Sequence, residues 1–240
     1  MTERRRIALY GGTFDPVHVG HIAVAQHLLK LFALDQVLFI PAHAAPHKRE
    51  RKGTPGLHRY AMLVLATQRD ARLLVSTVEL DAPGRPYTFD TLSRMRDELG
   101  RAARLFFVMG ADSWSEITTW HKWEQVLALT DQIVVARPSY PLSATHVSPQ
   151  IRERIIDLQG AQPVVAARKV DEGDGPKIYL TDVVMMDVSA TAIRRAVREG
   201  RSAEVASLVP PSVADYIEKY GLYRDQHETE FFDQGTDTAS

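Results

Sequence analysis

The chain has no cysteine. That excludes disulfides and thiolate metal sites, and it suits a reducing compartment, the cytoplasm. It has almost no net charge: 29 Lys and Arg against 30 Asp and Glu leave −1. No global basic field therefore points to nucleic acid as a partner. No apolar run approaches the roughly 18–20 residues needed to span a bilayer, so no membrane partner is expected. The N-terminal TERRR runs straight into an apolar segment, with no signal-peptide core between them, so no secretory leader is expected. No internal repeat is visible. What is present is 240 residues with 45% hydrophobic content, enough to bury a sizeable core in one domain.

Apolar, β-prone runs occur at 7–10, 37–40, 73–78, 105–109, 133–136 and 178–181. Helical periodicity lies near 20–32, 58–69, 89–99, 120–129, 149–158, 190–199 and 211–219. Continuous apolar strands alternating with helices predict an α/β fold, a doubly wound parallel sheet covered on both faces. Such sheets bind ligands at the C-terminal ends of their strands, near the topological switch point. A single domain is expected over 1–224, with 225–240 a polar, acidic, disordered tail. Residues 159–176, rich in Gly, Ala and Asp, read as an insertion or mobile loop.

The most informative stretch is GGTFDPVHVGH, residues 11–21. Gly11 and Gly12 follow the first apolar run, and a helix with Ile22, Ala25 and Leu29 on one face begins just after His18 and His21. Glycine lets the backbone approach an anion closely, and a helix start offers N–H groups and positive dipole. Residues three apart share a helix face, so both imidazoles can address one phosphate. A solvated helix cap is the plainer alternative. No Cys or acidic partner stands at zinc-site spacing, so a metal is not expected here. The glycines do not form GxGxxG, which disfavours a hydride-transfer enzyme.

Four other segments carry chemistry. Residues 41–56 hold three Pro, two His and four Lys or Arg. They read either as a clamp on a phosphate or as a solvated charged loop. Gly110-Ala-Asp112 follows an apolar strand. There a carboxylate can accept ribose hydroxyls, or Asp112 or Ser113 can simply cap a short helix. Trp120, Trp123 and Val126 fall at i, i+3 and i+6, a plausible buried face. A cationic heteroaromatic ring, however, stacks best on Trp. Ser189-Ala-Thr-Ala-Ile-Arg194 starts a helix, with Ser189 a good N-cap and Arg194 able to fork onto phosphate oxygens.

Residues 11–21 resemble the GxFxPxHxGH signature of the HxGH nucleotidyltransferases, and 189–194 resemble their SxTxIR signature. The likeness covers roughly residues 5 to 223 and is greatest to the bacterial nicotinate-mononucleotide adenylyltransferases. It implies a Rossmann-like nucleotidyltransferase fold that moves an adenylyl group from ATP to nicotinate mononucleotide. The products would be deamido-NAD and pyrophosphate, in NAD biosynthesis. It implies that His18, His21, Lys48 and Arg194 neutralise transferring and leaving oxygens. ATP would lie against Gly11, Gly12, Thr13 and Phe14, against Gly110 and Asp112 on the adenosine side, and against Ser189, Ile193 and Arg194. The mononucleotide would lie against His47 and Lys48 of a PHK element, Tyr87 and Thr88 beside the pyridine ring, Trp120 as the stacking platform and the phosphate-binding Arg137. Trp123 is then left to packing and Trp114 without a matched role. Mg²⁺ would travel with ATP rather than in a protein cage. The chain departs from the family pattern at Ala45, where Pro is usual, and at Ala190, where a second Ser is usual.

Two other HxGH activities, pantetheine-phosphate adenylyl transfer and cytidylyl transfer, share the first signature. Trp120 and the chain length argue against both. A catalytically inactive nucleotide-sensing protein is opposed by intact His18, His21 and Arg194. The sequence leaves a homo-oligomer open.

Overall fold

The computed structural model describes residues 4–43, 53–136, 142–172, 174–182 and 188–224. Seven strands, all parallel, form one sheet in the order β3-β2-β1-β4-β5-β7-β6. They are β1 (Arg6–Gly12), β2 (Gln36–Pro41), β3 (Leu73–Val75), β4 (Arg104–Gly110), β5 (Asp131–Val135), β6 (Ile155–Asp157) and β7 (Ile178–Thr181). The chain winds outward from β1 to β3, then returns to lay β4 beside β1. That reversal is the doubly wound arrangement the sequence predicts, with its switch point between β1 and β4.

Side chains alternate across the strands, so each central strand feeds two cores. On β1, Ala8 enters one core while Ile7 and Leu9 enter the other; on β4, Phe106 and Val108 face opposite to Leu105, Phe107 and Met109. The first core is covered by α1 (Val19–Leu31), α2 (Gly56–Thr67), α7 (Pro163–Asp171), α8 (Ala190–Arg198), α9 (Ser202–Leu208) and α10 (Pro211–Lys219). The second is covered by α3 (Thr88–Leu99), α4 (Ala111–Ser115), α5 (Trp123–Leu129) and α6 (Pro149–Arg152). A sheet buried on both faces needs apolar residues at consecutive positions, which is why its strands read as unbroken runs.

Three expectations are corrected. The periodicity over 149–158 is not one helix: α6 stops at Arg152 and the edge strand β6 follows. Residues 159–176 contain α7, started by Pro163 at its first position, where the missing N–H costs nothing. Trp120 does not share a helix with Trp123 and Val126. It ends a short 3-10 turn (Ile117–Thr119) on extended backbone, φ −77 and ψ 146, and α5 begins only at Trp123.

The deeply buried indole is Trp114, 1% exposed, whose Nε1 donates to the Ser143 carbonyl at 2.8 Å. Trp123 is half-buried at the edge of the second core. Trp114→Ala should therefore cost about 3–5 kcal/mol of unfolding free energy, and Trp123→Ala clearly less. Denaturant unfolding of the two variants checks this; equal losses would mean that Trp123 carries as much of the core.

Candidate active site

The register that sets Tyr10 opposite Val108 brings Gly12 and Gly110 to one level at the C-terminal edge of the switch point. Both glycines of β1 face aromatic rings at close range. A Cβ on Gly12 would stand 2.9 Å from the Phe14 ring, and one on Gly11 would stand 3.2 Å from the Phe107 ring. They form the end of the strand rather than a turn; the left-handed residue of the loop is Phe14, φ 50. The Phe14 ring is buried, edge-on to Tyr10 and to His21. Phe14 and the fully buried Ile193 therefore offer a ligand backbone atoms only.

His18 is the N-cap of α1 and His21 its third residue. Their rings stack with centroids 3.6 Å apart and planes 24° from parallel. The His18 backbone N–H donates to His21 Nδ1 at 3.2 Å. A ring nitrogen that accepts carries no proton, so His21 holds its proton on Nε2 and donates from there. Gly20 fits this arrangement: a Cβ there would approach His18 Nδ1 to 3.1 Å. The first turn of α1 has no acidic residue, so nothing on the helix itself competes for its positive end.

Ser189 caps α8, accepting the Ala192 N–H at 3.2 Å. Arg194, one turn in, donates to the Asp15 carbonyl and to Thr191 Oγ1. Helix α8 is thereby tied to the loop that leads to His18. Gly110 ends β4 as the N-cap residue of α4, and Asp112 lies in that helix's first turn.

Tyr87 and Thr88 begin α3. The Asp90 carboxylate turns back to accept the Tyr87 N–H at 3.1 Å, so it serves its own helix. The Tyr87 ring, 59% exposed, lies over His121 with centroids 4.4 Å apart. Lys122, left-handed at φ 52, places its ammonium over Phe89. These two contacts dock the Trp120–Lys122 turn onto the start of α3. Trp120 meets Phe107 edge-on at 6.3 Å, and Phe107 also abuts Gly11. Tyr87, Thr88, Trp120 and the glycine end of β1 therefore converge, as do His18, His21 and Arg194 through the Asp15 loop. His47, Lys48 and Arg137 lie outside the described residues.

Sequence reasoning missed three residues around the loop: Arg59, Glu79 and Tyr223. Arg59, 3% exposed, donates to the carbonyls of Thr13, Ala42, His43 and Thr54. Glu79 accepts the Thr91 hydroxyl at 2.8 Å and the His43 N–H at 3.2 Å. The Tyr223 hydroxyl donates to Asp15 Oδ1 at 2.8 Å. Nothing in the local pattern HRYAML or TVEL marks Arg59 as buried or Glu79 as hydrogen-bonded across elements.

Residues 9–196 match the cytidylyltransferase-like family model. With the parallel sheet and the helix starts at its switch point, that match defines the class: a nucleotidyltransferase. A protein of Thermoanaerobacter sp. (strain X514) is 35% identical over 95% of this chain and 99% of its own length. One of Thermus thermophilus is 38% identical over 91% and 100%. Both bear the name "Probable nicotinate-nucleotide adenylyltransferase". The fold matches that of the Plasmodium falciparum nicotinic acid mononucleotide adenylyltransferase complexed with NaAD. There the TM-score is 0.68 at 19% identity, over 91% of this chain and 97% of that one. The chain belongs to the nicotinate-nucleotide adenylyltransferase family.

Burial holds the Glu79 carboxyl above the usual carboxylate range, more than its hydrogen bonds and the neighbouring His43 and Arg59 pull it down. The folded state then binds this proton more tightly than the unfolded chain. Stability from this group is present below the unfolded pKa of about 4.3 and is lost as pH rises through the raised value. Glu79→Gln should flatten the fall in melting temperature with pH above about 4.3. Parallel profiles for the two proteins would contradict this.

Proposed function

We propose that the chain catalyses adenylyl transfer from ATP to nicotinate mononucleotide, giving nicotinate adenine dinucleotide (deamido-NAD) and pyrophosphate, in NAD biosynthesis. The observation that carries this is the pair of stacked imidazoles at the start of α1, set at the switch point beside the glycine end of β1.

The mononucleotide's 5′-phosphate is already an anion and needs no general base. One of its oxygens forms the new bond to the α-phosphorus of ATP, the bond from that phosphorus to the bridging oxygen breaks, and pyrophosphate leaves opposite the nucleophile. Catalysis is then mostly alignment and charge stabilisation. His21 Nε2–H, His18 and the N-terminal N–H groups of α1 would hold the transferring phosphate; Arg194 and the start of α8 would hold the departing ones. Asp112, in the first turn of α4, would accept ribose hydroxyls. Trp120 would stack on the pyridine ring, with Tyr87 and Thr88 at its edge. Mg²⁺ would be held by triphosphate oxygens and water and would supply further neutralisation of charge. Asp15, the acidic side chain nearest the histidine pair in sequence, is taken by the Tyr223 hydroxyl.

The ring's substituent follows from the donors around it. Asp90 turns one carboxylate oxygen back to its own helix start, away from the role of acceptor for a carboxamide NH₂. Backbone N–H groups and the Thr88 hydroxyl can all donate to a carboxylate. A site of donors leaves them unpaired against an amide nitrogen.

A pyrophosphate-release assay of the purified chain with a panel of mononucleotides tests the reading. Nicotinate mononucleotide should be used with kcat/KM more than about tenfold above that of the nicotinamide form, a difference of about 1.4 kcal/mol. No turnover with any mononucleotide would overturn the function, and equal use of both would overturn the donor argument. His18→Ala and His21→Ala should each lower kcat by about 10²–10³-fold, as loss of one transition-state donor typically does. A folded His18→Ala protein with near wild-type turnover would contradict the role given to the pair.

A further inference from the structure

The loop that carries the histidine pair is held from two sides by groups that stand apart from the reacting phosphates. Arg59 lies beneath it. Its Nη1 donates to the Thr13 carbonyl at 2.8 Å, its Nη2 to Ala42 at 2.7 Å and His43 at 3.3 Å, and its Nε to Thr54 at 3.0 Å. One planar cation thus joins the loop after β1, the loop after β2 and the approach to α2, a geometry that a lysine ammonium cannot reproduce. Burial lowers the Arg59 pKa, and the Asp15 carboxylate opposes that shift most.

Asp15 is the second hold. Its carbonyl accepts Arg194, one carboxylate oxygen accepts the Tyr223 hydroxyl at 2.8 Å, and the other faces the Thr54 N–H at 3.5 Å. A residue 208 positions away therefore closes on the same aspartate that orients Arg194. Burial, and then the Asp15 charge, push the Tyr223 phenol far above its ordinary range. A carboxylate only accepts, so the Tyr223 hydroxyl is the donor of this pair. Backbone geometry singles out both ends of this link. Phe14, next to Asp15, has φ 50, and Tyr223 has φ 67. Bulky side chains rarely adopt that region and stay there only when their surroundings hold them.

We propose that Tyr223 and Arg59 are positioning residues that act through the Asp15 loop. They fix where His18 and Arg194 stand relative to one another and so set the rate of adenylyl transfer rather than the affinity for the mononucleotide. The link brings together two phosphate-holding helix starts, of α1 and α8, that lie about 170 residues apart in sequence. Without it each helix keeps its own fold, but their relative placement is left to packing alone. This inference rests on the adenylyl-transfer reading.

The test is steady-state kinetics of the full chain carrying Tyr223→Phe, which removes one hydroxyl and keeps the ring. Melting temperature is measured alongside. Turnover should fall about 10- to 100-fold, the scale of a misplacement near 1 Å, with both Michaelis constants within about twofold of wild type. Wild-type kcat, whatever happens to the melting temperature, would overturn the proposal. So would unchanged kcat with a raised KM for the mononucleotide. If Tyr223→Phe does not fold, Asp15→Asn and Asp15→Ala are compared. Asn keeps an acceptor for Tyr223 and should retain more turnover than Ala; equal turnover in the two would overturn the proposal. Absence of dinucleotide formation by the wild-type chain is a different failure, that of the functional reading itself.

Discussion

Because the sheet is parallel throughout, every strand ends on the same edge, and every connection must cross a face to reach the next. Between β1 and β4, at the middle of that edge, neighbouring connections leave over opposite faces, β1 through α1 and β4 through α4. The loops part there, and the crevice between them lets a ligand reach strand ends without displacing a connection. The histidine pair, Gly110 with Asp112, and the start of α8 are all arranged around that constraint.

The crevice has a tightly specified floor. A Cβ at position 12 would force the Phe14 ring to shift, and one at 11 or 20 would crowd the Phe107 or His18 ring. These glycines matter less for backbone freedom than for the rings beside them. The gain is an imidazole pair held by stacking and by a backbone hydrogen bond rather than by solvent. Such preorganisation suits a reaction whose nucleophile and leaving group both arrive charged, since little remains for the protein except placing donors.

Much of this was legible in the sequence, because the central strands are continuous buried runs and the helix starts of α1 and α8 carry their own signatures. The sheet's class, the place of residues 11–21 and the Ser189 cap follow from local pattern alone. The less legible elements are those whose local pattern conflicts with their tertiary role. Edge strand β6 has three residues, none fully buried, and so borrows the periodicity of the helix before it. Helix α7 hides behind exposed Val164 and Val165, which blur its apolar face. Trp120 and Trp123 fit one helical face on paper, but left-handed Lys122 breaks the chain between them. Arg59 looks like the solvated side of α2, because burial of a charge beneath carbonyls from distant segments leaves no trace in its neighbours. Tyr223 is paired with Asp15 across nearly the whole chain, a contact that only the fold reveals.

The central claim is a single in-line displacement in a preformed anion site, with the histidines as donors and never as nucleophiles. The stereochemical course at the α-phosphorus tests it most directly, using ATP made chiral there by a sulfur for a nonbridging oxygen. One displacement inverts that centre, so the dinucleotide product should show inversion. Net retention would mean two displacements through a covalent adenylyl-enzyme, and would contradict this account.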